Sequence, residues 1–182
     1  MTENFKIPDW SSWTPRERGA LCFIIRAGQI LLIHKKRGLG AGKVNGPGGR
    51  LELGESPVAA AVRETREEVG VTPGALREAG TLSFQFIDGY SLHCTVFAAA
   101  EYTGELKETD EALPFWSPIA AIPYDQMWPD DALWLPRVLA GNRFTGRFLF
   151  DGERMLFHEV YSPDNDNARC SKSADKYNVR EK

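Results

Sequence analysis

The stretch Gly49–Val71, GRLELGESPVAAAVRETREEVGV, decides how this chain is read. Ser56-Pro57 is a helix-start signal, because a serine hydroxyl accepts from the free N–H groups of a first turn and proline is pre-set for the first helical position. Gly70 suits the left-handed residue that stops a helix. The spacing predicts a helix over about 57–69, with Val58, Val62, Thr65 and Val69 on a packing face and Glu64, Glu67 and Glu68 on an acidic one. Glutamates this close, with Glu55 just ahead of the helix, repel one another unless something positive neutralises them. Oxygen-only donors select hard divalent ions, and Mg²⁺ favours one or two carboxylates completed by water and substrate phosphates. Glu64, Glu67, Glu68 and the Gly49 carbonyl would form such a half-site. Arg63, four residues before Glu67, would orient one carboxylate and leave the others for metal. For an isolated E-x-x-E-E pattern the ordinary explanation is a solvated helix face; here the pattern is much longer.

Working outward, residues 20–35 are two apolar runs broken at Ala27-Gly28, the signature of a hairpin. Gly38, Gly40, Gly42, Gly46, Gly48 and Gly49, with Asn45 and Pro47, then make a loop of close backbone approaches that suits a ligand site. GLGAGKV within it is not a Walker motif: the spacing is short and valine stands where a Ser or Thr would hold magnesium. Beyond the helix, strands are expected near 75–86 and 91–102, separated by Asp88-Gly89. A short helix near 118–122, a longer one near 130–140 and two final strands near 143–150 and 154–161 complete a mixed α/β chain. Residues 1–161 are read as one domain, and the polar, aperiodic segment 162–182 as a mobile tail.

Composition sets the outer limits. A chain of 182 residues that is 42% hydrophobic and 11% aromatic has enough apolar material for one packed core. The net charge of −3 gives no general attraction for a nucleic-acid polymer or an anionic membrane, so any phosphate binding must be local. No apolar run approaches the ~18 residues of a membrane span, and the start lacks a signal-peptide pattern, which argues for a cytoplasmic protein. Cys22, Cys94 and Cys170 are odd in number and far apart, as suits reduced thiols; the first two read as strand filler.

Written as G-x5-E-x7-R-E-T-x-E-E-x-G-V, the opening stretch resembles the Nudix box, departing from it at Thr65, where the family usually carries a bulky aliphatic. The resemblance implies an α/β (α+β) Nudix fold, a mixed sheet sandwiched between helices, that cleaves a nucleoside diphosphate linked to another group. It assigns Glu64, Glu67 and Glu68 to Mg²⁺, with Mn²⁺ as a substitute. Glu67, Glu64 and Glu111, in that order, are candidates to take the proton of the attacking water. Glu111 lies where relatives often add a metal-binding acid; an exposed loop glutamate is the equal alternative.

The resemblance runs from about Gly19 to Tyr161. KKRGLGAGKVNGPGGRLELGE at Lys35–Glu55, MWPDD at Met127–Asp131 and RFTGRFLFDGERMLFHEV look like the branch of the family that hydrolyses oxidised purine nucleoside triphosphates, such as 8-oxo-dGTP or 2-hydroxy-dATP, to the monophosphate and pyrophosphate. The chemistry of MWPDD can be argued by itself. Adjacent buried carboxyls share a proton near neutral pH, so Asp130 and Asp131 could both accept from and donate to a purine edge, beside the flat face of Trp128. Taken alone, Pro129-Asp130-Asp131 is simply a good helix start. Asn45 matches a base-binding side chain, and Lys35 a lysine of the base pocket or phosphate side. Phe84 and Phe86 share a strand face that lines either the core or the pocket. Leu39, Val44 and Pro47 replace aromatic residues of that branch, which leaves fewer stacking surfaces. The expected partner is a small nucleotide, bound by a monomer. The alternatives are another Nudix substrate, such as an ordinary or methylated dNTP or a dinucleoside polyphosphate, and a non-catalytic nucleotide sensor.

Overall fold

The computed structural model describes residues 5–163. The first two strands, β1 (Glu17–Arg26) and β2 (Gln29–Lys35), form the expected hairpin, turning through Ala27 and Gly28 at φ of 49° and 74°. The glycine-rich segment carries only short pieces, β3 (Val44–Asn45) and β4 (Gly48–Arg50). Helix α1 (Pro57–Val69) has the predicted bounds. The Ser56 hydroxyl accepts from the Ala59 N–H at 3.3 Å, and Gly70 closes the helix at φ 80°.

After α1 come β5 (Val71–Gly74), β6 (Arg77–Phe86), β7 (Ser91–Ala99), β8 (Glu101–Gly104) and β9 (Ala112–Pro118). Helix α2 (Asp131–Leu139) and strands β10 (Phe144–Asp151) and β11 (Arg154–Tyr161) follow. The strand expected near 91–102 is split into β7 and β8, and β8 pairs with β5 in a small separate sheet. Instead of a helix near 118–122 there are two 3₁₀ turns, Ile119–Ala121 and Tyr124–Gln126. Strand β9 escapes a sequence reading because Pro114 and Pro118 argue against a strand. They are tolerated because β9 is an edge, paired along β2 alone among the described residues.

The large sheet runs β11-β10-β6-β7-β1-β2-β3, with β4 beside β1 and β9 beside β2. It is mixed: β1 pairs parallel with β7 and β10 parallel with β6, and its other pairs are antiparallel. Ala20, Cys22, Ile24, Leu31 and Ile33 pack with Ala60, Ala61 and Val69 of α1 on one face. Phe23, Ile30, Leu32, Leu82 and Phe148 pack with Trp134, Leu135 and Val138 of α2 on the other. The sheet is thus sandwiched between helices, and the near-continuous apolar runs of β1 and β2 follow from burial on both faces.

The packing face of α1 keeps Thr65 and Val69 of the expected one but trades Val58 and Val62 for Ala60, Ala61 and Glu68. Ala60, Ala61, Thr65, Glu68 and Val69 are buried, while Val58 is 46% exposed. Two alanines let the helix lie close to β1, and Glu68 is drawn inward by cationic and N–H partners from other elements. Thr65 fits the apolar face because its hydroxyl donates to the Ala61 carbonyl at 2.7 Å. Among the described residues no helix is long and apolar enough to cross a membrane. From residue 164 onward the segment read as a tail, with Cys170, lies outside the described residues.

Candidate active site

A cavity of about 480 Å³ opens beside the glycine-rich segment and joins the acidic edge of α1 to the start of α2. Its size suits a drug-sized ligand. Lys35, Asn45, Gly49, Glu64, Glu68, Phe84, Glu111, Trp128, Asp130 and Asp131 all line it. Arg63 and Glu67 stand just outside.

At the acidic end, Glu68 is turned inward with 1% of its side chain exposed. Its Oε1 accepts from Lys35 Nζ at 2.8 Å and its Oε2 from the Gly48 N–H at 2.8 Å. Burial raises the Glu68 carboxyl above the usual range while Lys35 pulls it back. Lys35 is therefore both the counter-ion of a buried carboxylate and part of the cavity wall. Arg63 does more than orient one acid. It grips Glu55 through Nε and Nη2 at 2.9 and 2.8 Å, Glu64 at 2.8 Å, Glu67 at 3.1 Å and the Arg50 carbonyl at 3.0 Å. The grip holds Glu55 down to about 2 and raises Arg63 itself. Glu111 is ion-paired with Arg37, also on the cavity wall.

The carboxylates thus point at Arg63, Lys35 and, for Glu111, Arg37. Among the described residues no three acidic, imidazole or thiol side chains converge as a ready metal cluster. The donor set nevertheless fits a hard cation. It is all oxygen, and a Cβ added at Gly49 would fall on the Glu64 carboxylate, so a bare backbone there keeps carboxylate and glycine edge in contact.

At the other end, Asp130 and Asp131 are 2% and 3% exposed. Neither side chain caps α2. Asp130 Oδ2 accepts from the Trp134 indole N–H at 2.9 Å, and Asp131 Oδ2 from the Trp128 backbone N–H at 3.0 Å. Burial is the main cause that raises both, Asp130 to about 6 and Asp131 well above its ordinary value, where the neighbouring Asp130 charge adds to the effect. Trp128 meets Phe86 and Phe150 edge-on, with ring centroids 6.5 and 5.7 Å apart. Gly40 is required beside it, since a Cβ there would lie 2.9 Å from the indole nitrogen. Phe84 is both core and wall, stacking on Phe148 at 5.4 Å while lining the cavity. Asn45 Oδ1 accepts from the Gly46 N–H at 3.0 Å, which sets its amide.

Sequence reasoning missed Arg37, Arg50 and Tyr90. Tyr90 donates to Glu17 at 2.6 Å, and the same Glu17 oxygen is 2.7 Å from Arg50 Nε, so one carboxylate ties both residues at the cavity wall. Nothing in residue type marks them. Arg50 is found only through the register that sets Gly49 opposite Ala20. Cys22 is buried filler as expected, whereas Cys94 is buried and also lines the cavity.

A glycine edge bearing helix-borne glutamates at one end of a cavity, and paired acids at the other, define a hydrolase of phosphoanhydrides. The family model described as the NUDIX domain matches residues 15–138, and the chain belongs to this family of hydrolases. It is 44% identical over 137 residues to an oxidized purine nucleoside triphosphate hydrolase of Danio rerio, covering 75% of this chain and 88% of that one. It is 35% identical over 147 residues to the Mus musculus protein of the same name, covering 80% and 94%. Among solved structures, a MutT protein from Bacillus halodurans superposes with a TM-score of 0.72 at 27% identity, over 79% of this chain and 97% of that one. Nudix hydrolases use a divalent metal and act on small-molecule nucleotides.

Proposed function

We propose that the chain is a magnesium-dependent nucleoside triphosphate pyrophosphohydrolase that clears oxidised purine nucleotides, such as 8-oxo-dGTP and 2-hydroxy-dATP, as the monophosphate and pyrophosphate. The observation that carries this reading is the buried Asp130–Asp131 pair facing the same cavity as Glu64, Glu68 and Gly49. The relatives named for oxidised purine substrates support it. With one proton between them, the two acids accept from a purine N–H and donate to an exocyclic oxygen, so a base altered by oxidation is read by where the proton sits. Trp128 supplies a stacking face and Asn45 an amide for the base edge.

Glu64, Glu67, Glu68, the Gly49 carbonyl and Glu111 would hold Mg²⁺, or Mn²⁺ in its place. Bound there, the ion would polarise the diphosphate and make an attacking water more acidic. Arg63 keeps the carboxylates aligned, and Glu67, ahead of Glu64 and Glu111, takes the proton from the water. Glu67 is suited to this because its side chain is 54% exposed, against 15% for Glu64 and 42% for Glu111. The protein acts as a cytoplasmic monomer. A panel of nucleotides with Mg²⁺, assayed for pyrophosphate, tests the reading: oxidised purine triphosphates should turn over well above their undamaged parents. Equal rates on dGTP and 8-oxo-dGTP would remove the damage-clearing role, and no product from any nucleotide would favour the sensor alternative.

A further inference from the structure

The family match begins at residue 15, yet the residues just before it are tied to the wall of the cavity. Phe84 and Phe86 of β6 line the cavity, so Gln85 between them projects from the opposite face. There the Trp13 indole N–H donates to Gln85 Oε1 at 2.9 Å. Gln85 Nε2 donates in turn to the carbonyls of Phe86 and Tyr90, at 2.8 and 3.1 Å. Those carbonyls flank the turn between β6 and β7, and they also accept from the Gly89 and Phe86 N–H groups at 3.1 and 2.9 Å. Each carbonyl has two lone pairs, and the glutamine fills the second of each. Having committed both amide protons to the turn, Gln85 presents its oxygen to Trp13.

Trp13 is itself held. Its ring packs against Trp10 at 5.5 Å and His93 at 6.4 Å, and His93 Nδ1 lies 3.1 Å from Ser83 Oγ. The Arg16 N–H donates to Ser91 Oγ at 3.0 Å, on the far side of the turn, and Glu17 accepts from the Tyr90 hydroxyl. Phe86 and Tyr90, between which the turn lies, both line the cavity.

We propose that residues 10–17 form a strap that braces the β6–β7 turn through Trp13 and Gln85, and so sets the Phe86 and Tyr90 walls that select the nucleotide. Trp13 and Gln85 are positioning residues, acting through the turn. The bracing stands on the contacts above, and the selection rests on the nucleotide reading of the cavity.

The test uses the full chain with two variants. Trp13→Phe keeps an aromatic ring and loses the N–H, while Gln85→Glu keeps an acceptor for Trp13 and loses both donors to the turn. Amide hydrogen exchange at Phe86 and Gly89 should quicken roughly five- to tenfold in both, as expected for one or two lost hydrogen bonds, with the amides of α1 unchanged. In turnover, KM for the preferred nucleotide should rise by a similar factor while kcat holds within about twofold. Unchanged exchange at Phe86 and Gly89, or faster exchange spread into α1, overturns the bracing. Faster exchange with KM unmoved overturns the role in selection. If the parent prefers no nucleotide over another, the substrate reading fails by itself, and exchange still decides the bracing.

Discussion

Burial raises Asp130 to about 6 and Asp131 well above its ordinary value, so both bind their protons more tightly folded than unfolded. A carboxyl raised in this way gives stability that is present at low pH and lost as pH climbs from the unfolded value, about 4, through the folded values. Asp131→Asn removes one ionisation while its side-chain oxygen still accepts from the Trp128 N–H. The variant should therefore match the parent near pH 4, lose less stability as pH rises and be the more stable of the two at pH 8, as read from urea midpoints. It should also change the ratio of rates on oxidised and undamaged purine triphosphates by at least about tenfold, because a polar pocket discriminates by leaving groups unpaired. Parallel pH–stability curves for variant and parent would show that the pair does not titrate in this range. A stability gain without a change in base preference would leave the acids as a helix start only.

At the scale of elements, α1 and its preceding loop place the acids, and backbone without a side chain is part of that placement. A methyl group at Gly49 would occupy the position of the Glu64 carboxylate. Gly49→Ala should therefore displace Glu64 and cut turnover by more than about tenfold. Gly54 is the control: it has open space around it but a φ of 78°, so Gly54→Ala should cost about 1 kcal/mol of stability and spare turnover. Equal losses of activity in the two variants would show that the loop responds to general strain. The same element shows what a sequence can and cannot say. Its bounds were legible because Ser56, Pro57 and Gly70 act locally. Its packing face was legible only in part, at Thr65 and Val69, because alanines weigh little in an apolar pattern and Glu68 is buried by Lys35 and Gly48 from distant positions. The prolines of β9 hid a strand that only its edge position permits. The glutamates were legible as candidates because they crowd one turn of a helix, whereas Asn45 and Trp128 were legible only through the resemblance to the family. Arg50 and Tyr90 reach the cavity through strand register and a turn, which no single position encodes.

For the whole molecule, the two cores on either face of the sheet contain none of the candidate metal ligands except Glu68 at their margin, and each of the crowded acids of the helix already has Arg63 or Lys35 as an ion-pair partner. The fold should consequently stand without metal, unlike a small domain organised around a structural ion. A chelator is expected to abolish turnover while near-ultraviolet circular dichroism and cooperative unfolding persist. Metal added back should then act as a ligand of the folded state alone. At a hundredfold excess over its dissociation constant it should contribute about 2.7 kcal/mol, which for a chain of this size raises Tm by roughly 5–10 °C. Glu67→Gln, which removes an exposed carboxylate, should keep the chelated Tm within a few degrees of the parent and lose most of the metal-induced rise. A chelated parent that unfolds would place the ion in the architecture. A full metal-induced rise in Glu67→Gln would remove Glu67 from the ligand set and leave it only as a candidate proton acceptor.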